Sequence, residues 1–150
     1  MKLTLYTDGG ARYNPGPAGA GIILISETKN QQPKIIKKIS KYLGILTNNQ
    51  AEYQALIIGL KEAKKLGATE IDCFLDSELI VKQLNREYKI RDHDLGPLFI
   101  KVWNLSQSFK KVNYYYIPRE KNKEADKLVN QAINQEMRGK LPERFSRVRN

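Results

Sequence analysis

Four carboxylate residues occupy positions from which they could act together on one substrate. Asp8 follows the alternating run Leu3–Thr7, which is typical of a strand, and Asp76 closes a second strand-like run. Glu52 and Asp126 each stand near the start of a predicted helix. Oxygen ligands of this kind favour hard cations such as Mg²⁺ or Mn²⁺, and two such ions can clamp the attacking and leaving oxygens of a phosphodiester.

Each acid also has an ordinary structural explanation. Asp8 before two glycines is typical of a turn, and Asp76 before Ser77 is typical of a helix cap. Glu52 and Asp126 would complement a helix dipole. Four such acids at one end of the molecule would repel one another strongly unless cations lay among them, and capping does not explain that arrangement.

The elements that must position these acids follow from hydrophobic periodicity. The first three strands are joined by short polar links, which predicts an antiparallel meander. A helix then precedes the fourth strand, so the fourth and fifth strands are expected to run parallel. The predicted fold is therefore α/β, with a five-stranded mixed sheet flanked by helices. In chain order, the predicted strands are 3–7, 20–26, 34–42, 70–76 and 111–117, and the predicted helices are 51–66, 76–84, 95–109 and 122–137.

The expected sheet would bring the four acids to one edge. Ligands of such sheets bind outside the carboxyl ends of the parallel strands. If the first and fourth strands are neighbours, about 5 Å apart, Asp8 and Asp76 lie side by side. The two helix starts follow strands or loops at the same end, so we expect Glu52 and Asp126 to point to the same place.

The charge balance favours a polyanionic partner. The chain has 150 residues, with 26 Lys plus Arg against 16 Asp plus Glu, and its net charge is +10. Nucleic acid is the commonest partner of so basic a protein, although a merely lysine-rich soluble surface remains an alternative. We interpret residues 1–137 as one domain and residues 138–150 as a basic C-terminal tail.

Cysteine usage and the absence of long apolar runs restrict the class of protein. Cys73 is the single cysteine and lies in an apolar run, which excludes an internal disulfide and favours a small buried side chain. No stretch approaches the roughly 18 apolar residues needed to cross a bilayer, and the N-terminus has no pattern of a leader peptide. We expect a cytoplasmic protein with no membrane partner, and we expect a monomer.

Five motifs occur in an order that closely resembles type I ribonuclease H. The specific part is Thr47–Glu52, which reads Thr-Asn-Asn-Gln-Ala-Glu, together with the earlier Asp-Gly-Gly. The resemblance covers roughly residues 1 to 137 and implies the ribonuclease H-like fold. Its motifs are Asp8-Gly9-Gly10, Asn14–Gly19, Thr47–Glu52, Asp76-Ser77 and Glu124-Ala125-Asp126.

The resemblance implies endonucleolytic cleavage of the RNA strand of an RNA–DNA hybrid, leaving a 5′-phosphate and a 3′-hydroxyl. It also implies two Mg²⁺ or Mn²⁺ ions in the active site with substrate. Asp8 would bridge both ions and Asp126 would hold the ion that activates water. Glu52 and Asp76 would hold the other ion.

Other motif residues resemble positions that contact the hybrid. The asparagines and the glutamine would reach across its minor groove, where the 2′-hydroxyl distinguishes RNA from DNA. The two glycines would let a nucleic-acid backbone approach closely. The expected substrate-binding residues are Gly9, Gly10, Asn14, Asn48, Asn49, Gln50 and Ser77.

Two departures from the family pattern affect these expectations. Many bacterial members have a histidine in the loop before the last helix, where Arg119 is the nearest candidate for a catalytic role in this chain. The segment Asn85–Asp94 is short and of mixed charge, whereas some members carry a basic protrusion there. The shorter form resembles the archaeal and plant-like branch, some of whose members also cut double-stranded RNA. Double-stranded RNA is therefore a second expected partner.

Other functions remain as alternatives at this point. Another nuclease or polynucleotidyl transferase of the same fold, such as an integrase or junction resolvase, is disfavoured by the Thr47–Glu52 motif. A catalytically silent module that binds hybrids or double-stranded RNA is disfavoured because all four acids are present. A basic structural protein without a metal site is the least favoured alternative.

Overall fold

The computed structural model describes residues 1–140, which form a five-stranded sheet with helices on both faces. The predicted tail at 138–150 falls largely outside the described residues, and its first three residues complete the last helix. Among residues 1–140, no helix is long and apolar enough to span a bilayer. The elements are β1 Lys2–Ala11, β2 Gly16–Ser26, β3 Lys34–Leu46, α1 Asn48–Lys65, β4 Glu70–Leu75, α2 Glu78–Leu84, α3 Gly96–Ser106, β5 Lys111–Tyr116 and α4 Lys123–Lys140.

The sheet confirms the predicted topology. Its strand order is β3-β2-β1-β4-β5, with the first three strands antiparallel to their sequence neighbours. β4 runs parallel to β1, and β5 runs parallel to β4. Thr7 pairs with Leu75, so β1 and β4 bring the residues that follow them to one edge of the sheet.

Helices α1 and α4 pack on opposite faces of the sheet. A side chain at Gly9 would meet the main chain of Ala51 in α1, whereas one at Gly21 would meet the main chain of Ala125 in α4. The core on the α1 side is continuous and includes fully buried leucines of β1 and α1. The burial of this apolar surface is the main force that holds α1 against the sheet.

β1 is longer than the sequence predicts, and this corrects the position of Asp8. The strand continues to Ala11 because Asp8, Gly9 and Gly10 keep pairing with β2, so they form no turn. A side chain at Gly9 would place its Cβ 2.1 Å from the carbonyl oxygen of Ala51. Close packing of α1 on the strand therefore requires glycine at position 9, whatever role that residue has toward a ligand.

Other element boundaries also differ from the prediction. β2 begins at Gly16 and not at residue 20, because its first residues already pair with β3, and α3 ends at Ser106 and not at residue 109. β3 extends to Leu46, with register shifts in its pairing to β2. α1 begins at Asn48, three residues before its predicted start. Glu52 therefore lies in the second turn of the helix, and the prediction that it lies in the first turn is wrong. The capping box of Thr47 and Gln50 explains the early start, because each side chain accepts a hydrogen bond from the other residue's backbone. α4 continues three residues beyond Met137.

Candidate active site

Three of the four predicted acids form a tight cluster at the edge where β1 and β4 end. Asp8 belongs to β1, Asp76 directly follows β4, and Glu52 reaches the same place from α1. One carboxylate oxygen from each residue lies within 4.8 Å of the other two. The Gly9 amide donates a hydrogen bond of 3.2 Å to Glu52 Oε1, which fixes α1 against β1 at this point.

Asp126 lies beside this cluster, in the first turn of α4. It lines the same groove and is close enough for its charge to raise the pKa of Asp8 and Asp76. Asn130 Nδ2 lies 3.4 Å from Asp126 Oδ2 and donates at 3.1 Å to the Asp126 carbonyl oxygen. The structure thus brings three acids into one cluster and the fourth next to it.

The three clustered carboxyl groups lose their protons less readily than isolated ones, because their pKa values are raised. Burial, followed by the charges of Asp76 and Asp126, raises the pKa of Asp8 to about 7, although a hydrogen bond with Glu52 opposes the rise. Burial and the nearby Asp8 raise the pKa of Glu52 well above its ordinary value. Burial also raises the pKa of Asp76, against the lowering effects of Asn122 and Arg119. A cation among the acids would remove this repulsion.

The donor set fits a hard divalent cation. Glu52 Oε2 is buried and has no hydrogen-bond partner among the described residues, so one carboxylate oxygen is free to coordinate. The acids supply only oxygen ligands, which suits Mg²⁺ or Mn²⁺ better than a soft metal. Asp8, Glu52 and Asp76 are therefore the residues best placed to hold such an ion, with Asp126 beside them.

Asn122, which the sequence predicts only as the first residue of the last helix, connects the elements of the site. Its buried side chain donates hydrogen bonds of 2.9 Å to the Thr7 carbonyl oxygen and to Asp76 Oδ2. The main-chain carbonyl oxygen of Asn122 accepts a bond of 3.1 Å from the Asp126 amide. Asn122 thus ties β1, the end of β4 and the start of α4 together. The one feature of the sequence that could have pointed to Asn122 is its position directly before α4.

The acids open into a groove of about 550 Å³. Besides the acids, its walls include several residues expected to bind substrate or to take part in catalysis, and others that the sequence did not single out. The expected ones are Gly9, Gly10, Asn48, Asn49, Ser77 and Arg119. The unexpected polar ones are Arg12 and Asn130, and Ile133 adds an apolar wall.

Comparison with known proteins assigns the family. A family profile described as reverse transcriptase-like matches residues 6–132. RNase H1 from Halobacterium salinarum is 35% identical, with a TM-score of 0.85, and the match covers 90% of this chain and 99% of that one. The chain belongs to the type 1 ribonuclease H family.

Two further ribonuclease H relatives bear on the site. LC11-RNase H1, isolated from compost, has been solved in complex with an RNA/DNA hybrid. It is 38% identical, with a TM-score of 0.82, over 90% of this chain and 99% of that one. The bifunctional protein Rv2228c of Mycobacterium tuberculosis is 39% identical over 89% of this chain. This chain spans 36% of that protein's length.

Several of the ribonuclease H motif residues are held by bonds within the protein. Asn14 Oδ1 accepts a bond of 2.9 Å from the Asn48 amide, and Asn48 Oδ1 accepts one of 2.8 Å from the Ala11 amide. Gln50 belongs to the capping box of α1 and, like Asn14, does not line the groove. These bonds order the Asn14 loop and the start of α1 against β1. Their direct contact with substrate stays a prediction.

Ser77 and Arg119 line the groove together with Asp76. Ser77 Oγ accepts a bond of 3.3 Å from the Ile80 amide and so caps α2. Arg119 lies in a 3₁₀ turn, and its positive charge opposes the rise in the pKa of Asp76. Both residues line the groove, and their roles toward substrate stay predictions.

Proposed function

We propose that the chain is an endoribonuclease that cleaves the RNA strand of RNA–DNA hybrids and leaves 5′-phosphate and 3′-hydroxyl ends. The observation that carries the proposal is the cluster of Asp8, Glu52 and Asp76, which leaves a buried oxygen without a partner in an open groove. The net charge of +10 suits a polyanionic substrate. The relative solved with an RNA/DNA hybrid supports the choice of substrate.

The four acids would hold two divalent ions, Mg²⁺ or Mn²⁺, when substrate is bound. Such a pair supplies charge stabilisation for the attacking and leaving oxygens of the phosphodiester. The protein's own contribution is to keep Asp8, Glu52 and Asp76 within reach of one another, which the strand pairing and the Gly9–Glu52 bond accomplish. Asp126 would complete the set from α4.

Arg119 would hold a phosphate of the substrate beside Asp76. Its guanidinium stays protonated near neutral pH, so it cannot act as a general base, but it offers several donors to phosphate oxygens. We expect Arg119→Ala to lower turnover, with Lys121→Ala as a control in the same 3₁₀ turn but outside the groove. Unchanged turnover in Arg119→Ala would remove this role.

The asparagines at the start of α1 would distinguish RNA from DNA. Asn48 and Asn49 line the groove next to the acids, where a side-chain amide can exchange hydrogen bonds with a 2′-hydroxyl. The short segment Asn85–Asp94 offers no basic protrusion, so hybrid affinity must come from other surfaces. Cleavage of double-stranded RNA is part of the proposal, because that duplex also presents 2′-hydroxyls.

One experiment tests the proposal and separates its parts. One labelled strand is placed in RNA–DNA, RNA–RNA or DNA–DNA duplexes and incubated with Mg²⁺, Mn²⁺ or a chelator. We expect metal-dependent cleavage of RNA in the hybrid, and none with chelator. Binding of the hybrid without cleavage in any metal would instead establish a silent binding module. Light scattering after size exclusion tests the expected monomer, and a cytoplasmic location stays a prediction from the sequence.

A further inference from the structure

A second cavity lies toward the opposite end of the sheet from the acids. Its volume is about 330 Å³, and it is bounded by the end of α2, the second half of α3 and the start of β5. It shares no lining residue with the acidic groove. Lys111 on its wall pairs with Glu70, the first residue of β4, whereas Asp76 follows the last. Roughly 20 Å of strand therefore separates Lys111 from the level of Asp76, whereas Tyr114, which also lines the cavity and pairs with Cys73, is about 10 Å from that level.

The cavity combines an apolar floor with an aromatic rim. Leu84, Val102 and Phe109 are at most 9% exposed and form part of the hydrophobic core beneath it. Trp103 stands on α3 at the edge, with 44% of its surface exposed. Most of the exposed lining is polar, so a ligand in this cavity would meet polar and charged groups as well as the indole ring.

Three cations converge on the same cavity. They are Arg86, Lys110 and Lys111, and none of them forms an ion pair with a residue of the described chain. No acidic side chain lines the cavity within residues 1–140. The charge of Lys111 helps to lower the pKa of Asp72, whereas Arg86 and Lys110 have no ion-pair partner among residues 1–140. Positive charge beside an indole ring favours an anionic ligand with a planar group.

The backbone of Arg86 gives an independent reason to assign a role to this residue. Its φ angle is +61°, in the left-handed region that glycine and asparagine adopt far more readily. Arg86 stands directly after the cap of α2, where glycine would end the helix with less strain. Because the conformation is strained for arginine, we infer that the Arg86 side chain has a role other than ending the helix.

We propose that this cavity binds a nucleotide unit, with the base against Trp103 and the phosphate at Arg86, Lys110 and Lys111. The unit is either a free nucleotide or one residue of a single strand, since both present the same base and phosphate. Stacking on an exposed aromatic ring beside a basic surface is the usual way in which proteins hold single strands. A bare phosphate would leave the indole and the apolar floor unused, and an acidic peptide would lack the base.

The fluorescence of Trp103 reports on this cavity directly, because it is the only tryptophan of the chain. The full chain is titrated in chelator with AMP, a single-stranded oligodeoxyadenylate, ribose 5-phosphate and an oligoglutamate peptide. We expect saturable quenching by AMP if the ligand is a free nucleotide, and by the oligonucleotide alone if it is a strand. Ribose 5-phosphate and the peptide should leave the fluorescence unchanged at the same concentrations.

Matched variants assign the binding to the cavity. Arg86→Gly should weaken binding about tenfold or more while its melting temperature is at least that of the unmodified chain. Asn30→Gly is the control, because Asn30 is an exposed loop residue with a φ angle of +66° and no charge. Lys110→Gln should also weaken binding, whereas Lys101→Gln, on α3 but outside the cavity, should not.

Three results would overturn the proposal. The first is the absence of quenching by both AMP and the oligonucleotide up to millimolar concentration. The second is quenching that Arg86→Gly and Lys110→Gln leave unchanged. The third is quenching by oligoglutamate as strong as by the oligonucleotide, since that would show charge recognition without a base. Cleavage of the hybrid by Arg86→Gly should stay within twofold, because the acids lie elsewhere.

Discussion

Asp72 and Asp76 lie four residues apart on the same chain segment, yet their surroundings differ in kind. Asp72 accepts a bond of 3.0 Å from Asn113 and forms an ion pair of 3.1 Å with Lys2. Burial alone would raise its pKa, but these partners outweigh burial and lower it. Asp76 also accepts an amide bond, from Asn122, but burial, followed by the charge of Asp126, raises its pKa.

The difference separates an acid with a structural partner from one that we propose to bind metal. Both aspartates have an amide donor, so hydrogen bonding does not distinguish them. Asp72 has an ion-pair partner within the protein, whereas Asp76 forms no ion pair among the described residues, and we propose that its cluster binds a metal ion. The four predictions below test this contrast, beginning with the largest expected effect.

Asp8→Asn should lower the rate of hybrid cleavage by about 10³-fold or more, because it removes the central carboxylate of the cluster. Single-turnover rates with labelled hybrid measure the effect. Asp72→Asn is the matched control, since it changes the same residue type outside the groove, and its rate should stay within twofold. An Asp8→Asn rate within tenfold of the unmodified protein would contradict the assignment of the site.

In chelator, the cluster should make folding less favourable as pH rises. The pKa of Asp8 is about 7 in the folded state against an ordinary 3.8, so its stabilising contribution is complete below pH 3.8 and is lost as pH rises through 7. At about 1.4 kcal/mol per unit, the loss is at most about 4 kcal/mol. Urea unfolding from pH 4 to 8 measures it.

Asp8→Asn should flatten this dependence, and Mg²⁺ or Mn²⁺ should restore stability at pH 8, since the ion binds only the folded cluster. Asp72→Asn should keep both the pH dependence and the response to the metal. Equal pH slopes for Asp8→Asn and the unmodified chain would show that the buried acids do not cause the effect.

Asn122→Ala should lower cleavage by about 10- to 100-fold, in the range found for residues that orient metal ligands. The substitution removes the two bonds that join Asp76 to β1 through Asn122. The Mn²⁺ concentration for half-maximal rate should therefore rise as well. Asn113→Ala removes the equivalent bond to Asp72 and should change neither quantity. Similar losses in the two variants would refute the distinction between the two aspartates.

Asp72→Asn should have the smallest effect and should act on stability alone. The pKa of Asp72 is lowered, so its contribution is present above the ordinary value and is lost as pH falls through its folded pKa. A partly exposed ion pair is weak, and we expect the melting temperature at pH 7 to fall by at most about 4 °C. Calorimetry should show a smaller difference in melting temperature between Asp72→Asn and the unmodified chain at pH 3 than at pH 7.

The order and type of the elements followed from the sequence because hydrophobic periodicity is local. Alternation identified β1, and the helical spacing from Ala51 to Leu66 identified α1. The end of β1 did not follow, because Gly9 and Gly10 resemble a turn until β2 is seen to pair with them. Strand pairing of this kind is a tertiary property, and glycines give no local sign of it.

The sequence by itself determined which acids are present, the order of the strands and helices that carry them, and the excess of positive charge. It also indicated that Asp8 and Asp76 would be neighbours, because parallel strands end at one edge. Only the tertiary structure decided that Glu52 joins them from the second turn of α1 while Asp126 stands beside them. It alone showed Asn122 bonded across β1 and Asp76, since such contacts join residues more than forty positions apart.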